Sequence, residues 1–159
     1  MDAGVARGHT DPDETALRER LIGTWRLRNW HAYDVAGERQ QPFGPDPLGY
    51  VVYTADGRMI TTIGRARREP IGGDLLSAPD AGRSAAFASF VAYAGTFEVE
   101  GGDVIHRVEM SLFPDWVGSV QRRHVEMSTD GADLVLRPEL ATAAGGAARH
   151  ELHWRRVTA

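Results

Sequence analysis

The sequence contains no cysteine, which excludes disulfide bridges, thiolate nucleophiles and sulfur-ligated metals while leaving the redox compartment open. It has no apolar run approaching the ~20 residues that cross a bilayer as a helix, so no membrane partner is expected. Its first twenty residues alternate charged with small side chains and lack the apolar core of a cleavable leader, which makes a cytoplasmic protein the expectation. Charge of one sign is also scarce. Lys and Arg total 18 against 22 Asp and Glu, for a net charge of −4. The arginines are scattered, so there is no basic face to track phosphates and no nucleic-acid partner is expected. Also missing are a phosphate-cradling glycine loop, a Gly-x-Ser-x-Gly elbow, a clustered carboxylate pair and any repeat of fixed period. Nucleotide use and hydrolase chemistry therefore have little support, and neither a cofactor nor a metal is expected.

What the chain does have is alternation. Its 159 residues, 42% of them hydrophobic, suffice for one compact domain with a substantial core. Residues 1–13 read as a disordered tail and 14–159 as the domain. A short helix over 15–22 precedes a first strand opening after Gly23. Seven more strand-like runs follow, at 49–54, 58–65, 95–100, 103–112, 119–128, 133–137 and 149–157, bounded by turn chemistry such as Thr54-Ala55-Asp56-Gly57, Gly101-Gly102 and Ser128-Thr129-Asp130-Gly131. Successive antiparallel hairpins are the expected wiring. One helix interrupts them, opening at Ser77-Ala78-Pro79-Asp80 with the look of a capping box and carrying Phe87, Phe90, Val91 and Ala94 on one stripe up to Gly95. It is expected to pack on the sheet or close the barrel mouth. Residues 65–74 read as a loop or lid leading into it, and 141–148 as a Gly/Ala-rich connection.

Because strand side chains alternate faces, the apolar set in each run carries the polar residues of the same parity inward. A two-residue turn at Gly101-Gly102 pairs Val99 with Val104 and Phe97 with His106, so Phe97, His106, Val108 and Met110 share the inner face. Pairing Leu112 with Ser119 across the next corner sets Met110 against Gln121 and Val108 against Arg123. The following turn sets Met127 against Leu134 and Val125 against Leu136. On the second hairpin Tyr53 meets Met59 and Val51 meets Thr61. In the first strand, Trp25, Leu27, Asn29, His31 and Tyr33 are expected inside and Trp30 outside; in the last, Leu152 and Trp154 are inside. Small side chains at Asn29, Thr61 and Gly95 point to a cavity rather than a filled core.

Arg123 stands out within this interior, since a guanidinium keeps its charge and must be paired, hydrated or aimed at an anionic ligand, and no acid shares its face. His31 and His106 are placed to flank one ligand as acid or base. Glu109 and Ser111 fall outside, beside Arg107, unless a bulge turns them in. His150 and His153 lie three apart on one strand and face opposite sides, which argues against a metal between them. Trp25 reads as packing at the closed end, and Trp116 as packing or rim.

The blocks Leu-Ile-Gly-Thr-Trp-Arg-Leu at 21–27, Tyr-Thr-Ala-Asp-Gly at 53–57, Ala-Tyr-Ala-Gly-Thr-Phe at 92–97 and His-Arg-Val-Glu-Met-Ser-Leu-Phe-Pro-Asp-Trp-Val-Gly at 106–118 resemble the bacterial lipocalin-like domain family. The resemblance implies an all-β, eight-stranded antiparallel up-and-down barrel, with a short N-terminal helix and one helix between strands three and four. It implies a place in secondary metabolism, where some such barrels act as cofactor-free cyclases or isomerases on polyketide-like intermediates and others only bind. The leading expectation is therefore a cyclase or isomerase in which Arg123 and Gln121 hold a developing enolate while His106, Tyr53 or His31 moves a proton. Asn29, Tyr33, Thr61, Phe97, Val108, Met110 and Trp116 would line the substrate. The alternatives are a non-catalytic carrier of a small apolar molecule and a homodimeric interaction module using Trp30 and Trp116.

Overall fold

A computed structural model describes residues 11–139 and 149–158 of the chain. Most of the expected tail, residues 1–10, and the connection at 141–148 lie outside the described residues. Helix α1 (Pro12–Leu21) comes first. Asp11 caps it by accepting from the Asp13 N–H at 2.9 Å, and Pro12 occupies a first-turn position where no N–H is needed. The tail expected to reach residue 13 thus gives way to helix at Pro12.

The strands β1 (Gly23–Tyr33), β2 (Arg39–Gln40), β3 (Leu48–Tyr53), β4 (Arg58–Gly64), β5 (Phe90–Glu100), β6 (Asp103–Ser111), β7 (Val120–Met127), β8 (Asp133–Pro138) and β9 (Arg149–Arg156) form one antiparallel sheet. It closes on itself through β1 and β9. Eight strands make the barrel; the two-residue β2 is an addition hydrogen-bonded to the end of β1.

Three hairpins have the register their turn chemistry predicts. Val99 pairs with Val104 and Phe97 with His106 across Gly101-Gly102, whose φ angles of 58° and 84° suit the two-residue turn that matches strand twist. Met127 pairs with Leu134 and Val125 with Leu136, while Tyr53 pairs with Met59 and Val51 with Thr61.

The β6–β7 corner differs. Arg123 stands opposite Val104 and Gln121 opposite His106, four residues from the expected partners Val108 and Met110. The corner is longer than a tight turn because Pro114–Trp116 forms a single 3-10 turn, and Gly118 N–H donates to the Val108 carbonyl at 2.8 Å. Four is even, so Gln121 and Arg123 still face inward.

Two bulges reverse other faces. On β1 the register slips between Leu27, opposite Trp154, and Asn29, opposite His153, leaving Arg28 as the extra residue. Asn29, His31 and Tyr33, expected inside, therefore lie on the outer wall, and Trp30, expected outside, turns in opposite Leu152. On β6 Val108 pairs with Gly95 but Met110 with Ala94, so Glu109 is extra and Met110, expected inside, is exposed. Ser111 comes round to the side of Tyr93, where its hydroxyl accepts from the Phe113 N–H at 3.1 Å. A Cβ on Gly95 would fall 1.9 Å from the Arg107 carbonyl oxygen, so the bulge requires glycine there.

The inserted helix α2 (Asp80–Ala88) is shorter than the expected stripe. Phe90, Val91 and Ala94 belong instead to β5, laddered along β4 from Gly64–Phe90 to Arg58–Thr96. The open edge of β4 must be paired for the barrel to close, and that outweighs the helical spacing of these residues. Pro79 stands at the helix N-terminus with no side-chain cap bond, so the capping box does not form. α2 buries no residue and borders a shallow groove with Ile71, Leu75 and Phe90.

α1 closes one end of the barrel. It reaches all three hairpin turns there: Arg18 donates to the Ala55 carbonyl at 3.0 Å, Glu14 accepts from the Gly101 N–H at 2.8 Å, and Arg20 donates to the Ser128 carbonyl at 2.7 Å. Beneath it Leu21, Trp25, Tyr53, Met59, Phe97, Val104 and Leu134 fill that half solidly.

Candidate ligand cavity

The other half is hollow. A cavity of about 710 Å³ lies beyond the filled end, a size that suits a small organic molecule. Ile63, Val91, Leu136, Leu152 and Trp116 supply apolar wall; Thr61, Tyr93, His106, Gln121, Arg123 and His150 are among the polar groups, and Ser119, Arg122 and Glu139 also border the space, the last two 4.0 Å apart.

Of the residues singled out from sequence, Thr61, His106, Gln121, Arg123 and Trp116 line this space. Tyr53 lies behind it, and Phe97 and Val108 are buried away from it. Asn29, His31, Tyr33 and Met110 are excluded by the two bulges, so His31 and His106 do not share a ligand.

Arg123 is 8% exposed, and its hydrogen bonds among the described residues go to Gln121 and to no carboxylate. Its Nη2 donates to Gln121 Oε1 at 2.7 Å, and its guanidinium carbon lies 5.5 Å from the centre of the Tyr93 ring. Gln121 turns its amide nitrogen to Ser119 Oγ at 3.3 Å, which fixes its carbonyl toward the arginine. The outer wall is different: there Arg107 pairs with Glu98, Arg155 with Asp133 and Arg58 with Glu109, all exposed.

His106 is fully buried between two tyrosines, with Nε2 2.8 Å from the Tyr53 hydroxyl and Nδ1 3.2 Å from that of Tyr93. Burial, and then the charge of Arg123, hold its pKa well below the ordinary histidine value, so the ring is neutral. Burial also pushes the Tyr53 phenol far above its usual range. A neutral imidazole donates from one nitrogen and accepts at the other. Tyr53 has no access to the cavity and Tyr93 lines it, so one arrangement strands no buried donor: Tyr53 donates to Nε2, Nδ1–H donates to the Tyr93 oxygen, and the Tyr93 proton points into the cavity.

Near the mouth, Trp30 Nε1–H donates to His150 Nδ1 at 2.8 Å, leaving the His150 proton on Nε2. The Thr61 hydroxyl and the Trp154 indole N–H are buried without a partner.

Sequence reasoning missed Tyr93, Trp30 and His150. Tyr93 was accessible from the period-two run Val91, Tyr93, Gly95, Phe97, Val99, hidden by reading its first half as helix. Trp30 and His150 needed the Arg28 bulge, for which the sequence carries no local signal.

The depressed pKa of His106 makes stability depend on pH. In the unfolded chain this histidine binds a proton below about pH 6.5, whereas the folded protein does not until the pH is lower still. The stabilisation is complete above the unfolded value and is lost as pH falls toward the folded one. Thermal melts should show Tm falling between neutral and mildly acidic pH, with a shallower slope in His106→Gln.

A closed antiparallel barrel, plugged at one end and holding an apolar cavity with a few fixed polar groups, defines a lipocalin-type ligand-binding protein. The sequence profile of the lipocalin-like domain family matches residues 22–157, and the chain belongs to that family. Over 94 residues it is 33% identical to the 4'-hydroxy-3'-methoxypropiophenone carrier protein ppsC of Aspergillus oryzae, a stretch covering 54% of this chain and 84% of that relative.

Proposed function

We propose that the barrel binds a small aromatic or polyketide-like molecule of secondary metabolism, apolar over most of its surface and carrying an oxygen acceptor that meets Arg123 and Tyr93. The observation that supports this most is Arg123 itself, a nearly buried cation on a cavity wall whose hydrogen bonds among the described residues go to Gln121 and to no carboxylate. The donors facing the space, Arg123 and Tyr93, suit a ketone, phenolate or enolate oxygen. The relative named as a carrier of an aryl ketone agrees with that chemistry.

The test is titration of 4'-hydroxy-3'-methoxypropiophenone and related aryl ketones, followed by quenching of Trp30, Trp116 and Trp154, which border the cavity. One molecule per chain is expected. Tyr93→Phe should weaken binding roughly 2- to 12-fold, the equivalent of one hydrogen bond of about 0.5–1.5 kcal/mol. Failure of every oxygenated aromatic to bind, while plain hydrocarbons do, would remove the anchor from this reading.

The Tyr53–His106–Tyr93 chain favours a second reading, a cofactor-independent cyclase or isomerase. The Tyr93 hydroxyl would give its proton to the oxygen of a ketone held by Arg123, leaving a phenolate that His106 Nδ1–H and Arg123 stabilise, and that phenolate would take the α-proton of the substrate, so that the enol forms and the hydroxyl is restored. His31 takes no part, and Tyr53 acts only through His106. The chain contains no lysine, so Schiff-base chemistry on a lysine amine is excluded. Exchange of the α-hydrogens of a bound ketone in deuterated water separates the readings. Exchange that depends on His106 marks catalysis, and binding without exchange marks a carrier.

A further inference from the structure

The bulge that carries Trp30 into the cavity also sends His31 to the outside, where it meets two side chains of β9. His31 stands directly opposite Glu151, and His153 lies one outward position further along β9, opposite Asn29. The two imidazole rings are 5.4 Å apart between centres. Ligand atoms of His31, Glu151 and His153 all lie within 4.8 Å of one another. His153 Nε2 is shielded from water, makes no hydrogen bond and sits 3.5 Å from Glu151 Oε2.

We infer that His31, Glu151 and His153 form a divalent transition-metal site on the outer wall, spanning the β1–β9 seam that closes the barrel. Two imidazole nitrogens and one carboxylate oxygen are a donor set for Zn²⁺ or Cu²⁺ rather than Mg²⁺ or Ca²⁺. Around a tetrahedral ion with bonds of about 2.0–2.1 Å, ligand atoms are roughly 3.4 Å apart. The His153–Glu151 pair already has that spacing, and rotation of the His31 side chain brings in the third donor.

Three arginines act against the ion and limit its affinity. Arg137 and Arg149 approach Glu151 at 3.1 and 3.6 Å, and Arg39 lies near His31. Both contacts to Glu151 are to Oε1, leaving Oε2 on the side of His153. Arg137 also pairs with Glu126 at 2.7 Å, and Arg149 lies over the Tyr33 ring at 4.2 Å, so each has a second partner.

The site is separate from the cavity, because these side chains leave the barrel on the face opposite Trp30 and Leu152. An ion there would clip the first barrel strand to the last, and since it binds only the folded seam it should raise the melting temperature.

The test is Zn²⁺ binding to untagged protein at neutral pH, by competition with a chromogenic chelator, beside thermal melts with Zn²⁺ and with chelator. One ion per chain and a Zn²⁺-dependent rise in Tm of several degrees are expected. Both should be lost in His31→Ala and in His153→Ala, and affinity should drop tenfold or more in Glu151→Gln. His124→Ala, at an exposed histidine elsewhere, should retain both. Circular dichroism and retained cavity binding confirm that the variants are folded. No binding by the wild type, or binding that survives in both His31→Ala and His153→Ala, would mean that the triad is only a solvated polar ladder and would overturn the proposal.

Discussion

Arg123→Met is expected to weaken binding of an oxygen-bearing ligand by roughly 10- to 150-fold, the equivalent of about 1.5–3 kcal/mol for hydrogen bonds to a charged group. Stability should be unchanged or improved. Methionine keeps most of the apolar stem and removes the charge. It leaves no carboxylate stranded, because among the described residues Arg123 bonds to Gln121 alone. The acceptors released are Gln121 Oε1 and, at 3.4 Å, the Gln121 main-chain carbonyl, on a residue that borders the cavity and can take a water. Calorimetric titration beside a thermal melt reads both effects. A ligand that binds Arg123→Met as well as wild type would show that the guanidinium is not the anchor. A large loss of stability would show that its main role is to hold the wall together.

Trp25→Ala is expected to cost about 3–5 kcal/mol of stability, the usual range for deleting a large buried aromatic. Trp25 is fully buried, and its indole N–H donates to the Leu21 carbonyl at 2.8 Å, tying the end of α1 to the first strand. Arg156 lies over the ring at 4.1 Å and donates to the Ile22 carbonyl at 2.9 Å, so the substitution also loosens the closed end of the barrel. Trp25 lies well away from the cavity, so at temperatures where the variant is folded its ligand preference should match wild type. Chemical denaturation gives the energy, and a ligand panel gives the preference. Undiminished stability with altered preference would reverse the role assigned to this residue.

The barrel was legible because its hairpin turns are chemically explicit. Gly101-Gly102, Asp56-Gly57 and Asp130-Gly131 each set a register that the neighbouring alternation confirms. Arg123 and Gln121 were placed inside although their partners were wrong by four residues, since parity survives an even slip. What could not be read were odd slips. The extra residues Arg28 and Glu109 look like ordinary strand positions, and the close approach of Arg107 to Gly95 that one of them requires is a contact between distant segments. Each bulge reverses every face beyond it, so Asn29, His31, Tyr33 and Met110 were misplaced together rather than singly. The helix at 77–94 was overextended for a related reason. Phe87, Phe90, Val91 and Ala94 satisfy a helical spacing, and only the need of β4 for a neighbour decides that the last three are strand.

The plug formed by α1 has a kinetic consequence. With Arg18, Glu14 and Arg20 fastening it to all three turns at that end, a guest of the proposed kind would enter and leave through a doorway at the opposite end, where Trp116 and the Trp30–His150 pair border the cavity. A substitution that only narrows or widens that doorway changes the height of a barrier crossed in both directions. It therefore scales the rates of capture and release together and leaves the dissociation constant alone. On the proposed function, residence time and affinity would thus be set by different residues, the first at the rim and the second at Arg123 and Tyr93.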